Sequence, residues 1–467
     1  MILQAAMESI KKAKINAEKC PYRPEYHFLA PANWMNDPNG PIYYKGEYHL
    51  FYQHNPYGED WGNIHWGHAK SKDLVNWEHL PIALTPSSDL GEKHCFSGCC
   101  VNNKGVPTII YTSIKSEKSI ATEAEQWMAT SSDDMITWQK SSHNPVLSLN
   151  LHDNLDVRHW RDPYVWKEEE NWYMILGGHI HNMQAGVVLL YKSSNLEQWE
   201  YLYPLCEGEE RNRITGSNWE CPNFFPLNNK HILIISPHKK VIYNIGIYKN
   251  HKFKPGKWRF LDHGRSFYAP NTMIDKNGRV IMWAWVREGG TGGWNGCLTL
   301  PRILSLGDDN SMRFTPAPEL QLLRTNHIHL ENVLITPKSK NILGNIRGSC
   351  LEIIGTMEVA TAGKFGFKIF QNNNYENGEI IEIKAEKRFL RVGKEKSKID
   401  FLLNENLIKF HIFIDRSVVE VYLNDKECLT CRIYPKILES DYIDVFSTEE
   451  DINLRSLDIW KLKSIWK

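Results

Sequence analysis

The sequence predicts an all-β protein: a five-bladed β-propeller followed by a C-terminal β-sandwich. Three observations carry this. First, four similar segments, DLVNWEHL, DDMITWQK, SNLEQWEYL and KPGKWRFLD, centre on Trp77, Trp138, Trp199 and Trp258, at intervals of 61, 61 and 59 residues. Second, the chain between them consists of short runs rich in β-branched and aromatic residues, such as GEYHLFYQ, VPTIIYTS, NWYMILGG, AGVVLLYKS, KHILIIS and GRVIMWAWV. Each is bounded by Gly, Asn, Asp or Pro, the punctuation of strands. Third, the period disappears after about residue 320, while strand-like alternation continues.

A unit of about 60 residues with about four strands fits one propeller blade with long loops. The span from Tyr26 to Leu320 holds five such units. A sandwich would also supply many strands, but it would not impose the period. Residues 1–24, beginning MILQAAMESIKKAKINAEK, read as a short amphipathic helical segment. Residues 25–325 are then the propeller and catalytic domain. PAPELQLLR (316–324) reads as a short helical connector, and 326–342 as a linker. From 343 to 467 the runs LEIIGTMEV, GFKIFQ, EIIEIKAE, KFHIFI and VVEVYL fit a sandwich, with Phe410, Ile412 and Ile414 on one face. KEKSK (394–398) reads as a solvated hairpin turn.

Composition excludes several function classes. Lys+Arg and Asp+Glu are both 55, so the basic excess expected of a nucleic-acid binder is missing. No apolar run approaches the ~18 residues needed to span a bilayer, and no membrane partner is expected. Ten cysteines in 467 residues are too sparse for a disulfide framework, and there is no Asn-x-Ser/Thr sequon. The N-terminal segment has no apolar core of signal-peptide length. The expectation is a soluble protein, either cytoplasmic or secreted after removal of a signal peptide that this chain does not contain. Aromatic residues make up 12% of the chain, and their flat faces suit the C–H faces of sugars as well as a core.

The chemistry follows from placing carboxylates on the repeat. Asp37 in WMNDPNG lies 40 residues before Trp77, Asp162 in WRDPYVW 37 before Trp199, and Glu220 in WECPNFF 38 before Trp258. Ser97 in CFSGCC lies 41 before Trp138. Equivalent positions of successive blades ring the propeller axis, so these side chains should converge on one funnel. Singly, each motif is a turn or a strand start. In phase, they predict a shared site in which repulsion and burial push at least one carboxyl pKa upward. A pair with one ionised and one protonated carboxyl is what glycoside hydrolysis requires.

WMNDPNG (34–40), FYQ (51–53), WGNIHWGH (61–68), FSG (96–98), RDP (161–163), WECP (219–222) and FYAP (267–270) together resemble glycoside hydrolase family 32. PAPELQLLR and HIFIDRSVVEVYLND (411–425) extend the resemblance over nearly the whole chain. It implies a propeller followed by a sandwich, and a retaining β-fructofuranosidase that cleaves sucrose, sucrose 6-phosphate or a related fructoside. By the same resemblance Asp37 is the nucleophile and Glu220 the acid and base. Asp162, with Arg161, binds fructose hydroxyls and steadies the transition state. Trp34, Asn36, Gln53, Trp61, Phe96 and Ser97 line the fructose subsite, with Tyr268, Trp285 and Trp294 at its rim. A fructosyltransferase or fructan hydrolase using the same site, and an inactive sugar-binding protein, are the alternatives.

The chain departs from the family pattern at three places. Asn223 follows WECP where Asp is frequent, Ser266 precedes FYAP, and Tyr-Thr-Ser (111–113) replaces Tyr-Thr-Gly. These bear on leaving-group preference and pH range. Asn223 in particular should favour ionised Glu220. His65 with His68, His179 with His181, and Cys428 with Cys431 are pairs without further ligands. No metal and no cofactor are therefore expected. Cys95, Cys99 and Cys100 are read as packed thiols, and Cys221 as a residue that tunes the surroundings of Glu220. The expected partner is a small sugar; the oligomeric state is left open.

Overall fold

A computed structural model of the chain describes all residues except 1, 153–154, 288–291, 345, 360–362, 373, 375, 377, 400–405, 436–439 and 467. The fold is the expected propeller and sandwich. The chain divides into two compact units, one of Met1–Lys19, Leu29–Leu261 and Tyr268–Pro301, the other of Cys20–Phe28, Asp262–Phe267 and Arg302–Lys467.

The first unit opens with a helix, Ile2–Ala17, whose Ala6 and Ile10 pack with Ile82. Blade one pairs Asn33–Tyr44, Glu47–Asn55, His65–Ser71 and Trp77–Leu84 in chain order. Blade two begins at His94–Asn103, blade three at Arg158–Glu168, blade four at Glu220–Leu227 and blade five at Phe267–Ile274. The repeated tryptophans stand at the start of the fourth strand, and two of them share a local motif. Leu74 and Leu196 adopt φ of 65° and 70°, and the indole N–H three residues on, in Trp77 and Trp199, donates to their carbonyls at 3.1 and 2.9 Å. Asp73 and Asn195 each accept two or more backbone N–H bonds of the same turn. In blades one and three the repeated tryptophan thus belongs to a self-contained turn; in blade two Met135 is likewise left-handed at φ 70° and Asp133 accepts the Thr137 N–H at 2.9 Å, but the Trp138 indole N–H is buried without a partner among the described residues.

Each blade's first strand faces its neighbours across the centre. Asn271 of blade five donates from Nδ2 to Pro38 O of blade one and to Gly98 O of blade two, both at 3.2 Å. Two motif glycines are explained by close approach. A Cβ on Gly98 would lie 2.2 Å from Ile110 O. Gly40, at φ 44°, would put one 2.9 Å from the Cys100 Cβ.

The second unit contains two antiparallel sheets around a core that includes Leu351, Ile353, Phe367, Ile381, Ile412 and Val421. One has six strands in the order Arg324–Ile335, Ile452–Leu462, Cys350–Glu358, Leu407–Asp415, Val418–Leu423 and Glu427–Arg432. The other has five, in the order Glu395–Lys398, Phe389–Val392, Glu379–Lys384, Lys364–Gln371 and Tyr442–Ser447. Within this unit, fully buried Arg302 bridges Asp262 and Glu420 at 2.8 and 2.9 Å.

Two local expectations change. Much of 326–342, read as a linker, belongs to the edge strand Arg324–Ile335. Most of its positions are exposed, and the polar–apolar alternation of His327–Glu331 is short and stops at Asn332, which leaves a weak strand signal. In KEKSK, Glu395–Lys398 is itself a strand, paired with Phe389–Val392.

Candidate active site

The first strands of the blades break their pairing register at the same place. Shifts fall between Met35 and Pro38, Cys95 and Gly98, Arg161 and Tyr164, and Glu220 and Asn223. Proline stands there in four blades (Pro38, Pro163, Pro222, Pro270) and glycine in one (Gly98). Proline has no N–H to give to a ladder, and a bulge re-aims the side chains beside it. Asp162, Cys221 and Ala269, each just before its proline, share left-handed φ values of 64°, 46° and 46°. That conformation is uncommon for residues other than glycine.

Aligning the blades on this position refines the phase read from the tryptophans. Asp37, Ser97, Asp162, Cys221 and Ala269 form one tier. Asn36, Phe96, Arg161, Glu220 and Tyr268, one residue earlier, form a second. Glu220 is therefore out of step with the two aspartates by one residue. Loop lengths that vary by a few residues between blades hid this offset.

Hydrogen bonds run largely within each tier. Asp37 Oδ2 accepts from Ser97 Oγ at 2.6 Å and from Cys221 Sγ at 3.5 Å, and Asp37 Oδ1 accepts from Asn36 Nδ2 at 3.0 Å. Gln53 ties the cluster together: its Oε1 accepts from Asn36 Nδ2 at 2.8 Å, and its Nε2 donates to Ser97 Oγ. Asp162 Oδ2 accepts from the Cys221 backbone N–H at 2.9 Å and from Cys221 Sγ at 3.5 Å. The Asp162 N–H donates to Thr112 Oγ1 at 3.0 Å. In the other tier Arg161 donates to Glu220 Oε1, and the Tyr268 hydroxyl faces Glu220 Oε2. His238 Nε2 lies 3.0 Å from Glu220 Oε1. Arg161 Nε is 3.9 Å from Asp162 Oδ2, so this guanidinium serves Glu220 more closely than its sequence neighbour.

This geometry separates the carboxyls. Burial pushes the Asp162 carboxyl up to about 7; Arg161 opposes, while the Glu220 and Asp37 charges add to the rise. Burial also raises Asp37, against the lowering by its bonds to Ser97 and Asn36. For Glu220, burial is outweighed by Arg161, His238 and Tyr268, and the carboxyl is held well below the usual range. The surroundings therefore favour a proton on the aspartate side over one on Glu220, the reverse of what an acid at Glu220 needs. Asn223 donates to Cys221 O at 3.1 Å and to Pro270 O at 2.9 Å, and accepts from Thr272 Oγ1 at 2.9 Å, joining blades four and five beside Glu220.

The remaining predicted residues divide. Trp34 Nε1 donates to Asn36 Oδ1 at 2.7 Å, and its ring meets Trp285 edge-on at 5.6 Å. Trp61 is 41% exposed and packs against His94 and Phe96, leaving an aromatic face open. Trp294 differs. It is 1% exposed and pairs through its backbone with Asn33, next to Trp34. Sequence reasoning missed His238, which no motif flags, and it did not anticipate the bonds of the Cys221 thiol to Asp37 and Asp162. Cys221 lies between Asp37 and Asp162, and the shared proline register was the signal that could have placed it there. Beside the carboxylates a cavity of about 510 Å³ is lined by His159, His179, Arg211, Arg213, His238 and Lys239, among others.

A ring of buried carboxylates at the centre of a propeller defines a glycoside hydrolase of the two-carboxylate kind. Residues 27–316 match the glycosyl hydrolases family 32 N-terminal domain, and 319–461 the family 32 C-terminal domain. The chain belongs to glycosyl hydrolase family 32. It is 34% identical to a sucrose-6-phosphate hydrolase of Zymomonas mobilis, over 92% of this chain and 90% of that one. It is 30% identical to a raffinose invertase of Escherichia coli, over 99% and 98%. Among solved structures, a Bombyx mori family 32 β-fructofuranosidase in complex with sucrose aligns with a TM-score of 0.83 at 29% identity, covering 99% of this chain and 98% of that one. Fructan 1-exohydrolase IIa of Cichorium intybus in complex with 1-kestose aligns with a TM-score of 0.84 at 27% identity, covering 95% and 98%.

Proposed function

We propose that the protein is a retaining β-fructofuranosidase that hydrolyses sucrose-type fructosides through a covalent fructosyl–Asp37 intermediate. The observation that carries the reading is the junction of Asp37, Asp162 and Glu220 through Cys221 and Arg161. One Asp37 oxygen attacks the anomeric carbon of the fructosyl unit as the bond to the leaving oxygen breaks. Glu220 gives that oxygen its proton. Glu220 then takes a proton from water, which attacks the same carbon and releases Asp37. Asp162 and Arg161 hold the fructose hydroxyls, Asn36, Gln53 and Ser97 orient Asp37, and Trp34, Trp61 and Phe96 give the ring an apolar bed. Residues 25–325 are the catalytic propeller in this reading, and 343–467 the sandwich.

Since Glu220 is ionised in the free site, substrate must change its surroundings. As the sugar excludes water and its hydroxyls draw Arg161 away, Glu220 loses its counter-charge and takes up the proton it later donates. Retention requires the Asp37 and Glu220 carboxyls to work at about 5–5.5 Å, too close for an intervening water. Carbon-13 NMR of fructose labelled at the anomeric carbon, read before mutarotation, tests this. β-Fructofuranose must appear first, and early α-fructofuranose refutes the nucleophile.

A second observation favours one substrate within this class. The cavity lined by Arg211, Arg213 and Lys239 shares His238 with the surroundings of Glu220, the residue that protonates the leaving oxygen in this reading. His159 and His179 are held below their ordinary pKa, first by burial, so the positive charge comes from the two arginines and the lysine. A phosphorylated glucosyl leaving group suits it, which makes sucrose 6-phosphate the favoured substrate. Arg213→Gln with Lys239→Gln should lower kcat/KM on sucrose 6-phosphate at least tenfold more than on sucrose. Equal losses on both would refute it.

A further inference from the structure

Between the edge strand of the second unit and its neighbour Ile452–Leu462, remote in sequence from the catalytic motifs, three metal-ligating side chains converge. His327 Nε2 and His329 Nδ1 lie 2.7 and 2.8 Å from the same oxygen, Asp458 Oδ1. Among the described residues this is the group of three or more such side chains whose donor atoms all fall within 4.8 Å of one another. We propose that His327, His329 and Asp458 form a binding site for a divalent transition-metal ion of the zinc class.

The backbone explains the convergence. Residues two apart on a strand point to one face, which puts His327 and His329 side by side. His329 stands directly opposite Asp458 in the antiparallel register with Ile452–Leu462. Each imidazole is also oriented from behind. The His329 Nε2 lies 3.0 Å from Glu331 Oε1, which leaves Nδ1 turned to the site. A carboxylate on the far nitrogen is the usual support of a metal-bound histidine. The His327 ring stacks on Trp460 with a centroid distance of 4.7 Å and an interplanar angle of 5°.

The donor set decides the ion. Two imidazoles and one carboxylate suit zinc, copper or nickel, whereas calcium and magnesium call for more oxygens. Bonds of ~2.0–2.2 Å around a tetrahedral ion separate donors by roughly 3.3 Å. The present spacings must open by about half an ångström, a small movement for side chains that are 47%, 43% and 27% exposed. That exposure also leaves space for water as a fourth ligand. A bound ion would clip the edge strand to its neighbour across 129 residues of sequence, and binding to the folded state alone would stabilise the unit.

The test is titration of the metal-stripped full chain with Zn²⁺ by calorimetry, and with Co²⁺ by its visible absorption. The expected result is one equivalent bound by the wild type, with the stronger Co²⁺ bands of a four-coordinate site. Asp458→Asn and the double substitution His327→Gln with His329→Gln should each lose that equivalent. Glu331→Gln should weaken it by ~10-fold, the effect of removing an outer support. All variants should keep wild-type fructoside hydrolysis, which reports that the chain is folded. No bound equivalent in the wild type, or the same affinity and spectrum in the double variant, overturns the proposal.

Discussion

Replacing Asp162 with Asn should make the protein more stable at pH 8 while abolishing its usefulness as a catalyst. Asp162 is buried, and its carboxyl is pushed up to about 7 from an ordinary 3.8. Between those values the folded chain keeps a proton that the unfolded chain has lost. Stability from this group is therefore fully present below pH ~4 and is lost as pH rises through 7. The gap of about three pH units, at 1.36 kcal/mol each, amounts to as much as about 4 kcal/mol above pH 7. Asparagine has the same shape, and its oxygen can still accept the Cys221 N–H now bonded at 2.9 Å. It carries no charge to desolvate. The assay is the thermal midpoint of wild type and Asp162→Asn from pH 4 to 8, at roughly 2–4 °C per kcal/mol for a domain of this size or slightly smaller. The advantage of the variant should be near zero at pH 4 and grow to several degrees by pH 8, with hydrolysis lost throughout. A difference that stays flat with pH, or that shrinks as pH rises, refutes the argument that this carboxylate is held at a cost to the fold.

Asp37→Ala and Glu220→Ala should each abolish hydrolysis with the circular dichroism spectrum unchanged; either variant retaining more than about a tenth of the wild-type rate contradicts the two-carboxylate reading, since acid–base catalysis alone is worth ~10²–10⁴-fold. Raffinose should release fructose while maltose stays uncut, and product analysis showing the opposite would mean that the site recognises glucosides. Dialysis against a strong chelator should leave the rate on sucrose unchanged even if it strips an ion from His327 and His329; a loss restored by zinc would place a metal in the chemistry. Arg161→Met should raise the Glu220 carboxyl by removing its nearest cation, moving a limb of the kcat/KM pH profile upward; an unmoved profile would show that Arg161 does not set it.

What the sequence determined is what local structure encodes. In blades one and three the repeated tryptophan sits in a turn that satisfies itself, with its indole N–H on the carbonyl of a left-handed residue three positions earlier, and such a turn is written in a few consecutive letters. The catalytic motifs were legible for the same reason: Asp-Pro, Cys-Pro and Ser-Gly mark the break in the first strands of blades one to four, and the break aims the side chains inward. Distances between blades lie outside any such local pattern. Only the folded chain puts Cys221 between Asp37 and Asp162, turns Arg161 toward Glu220, and brings in His238 from a loop without a motif. The order of protonation follows from those contacts, because burial and neighbouring charge depend on separation in space. Exposure is equally invisible in the letters: Trp61 is 41% exposed and Trp294 1%. Likewise His327 and His329 look no different in sequence from His179 and His181, until the strand register sets Asp458 opposite them.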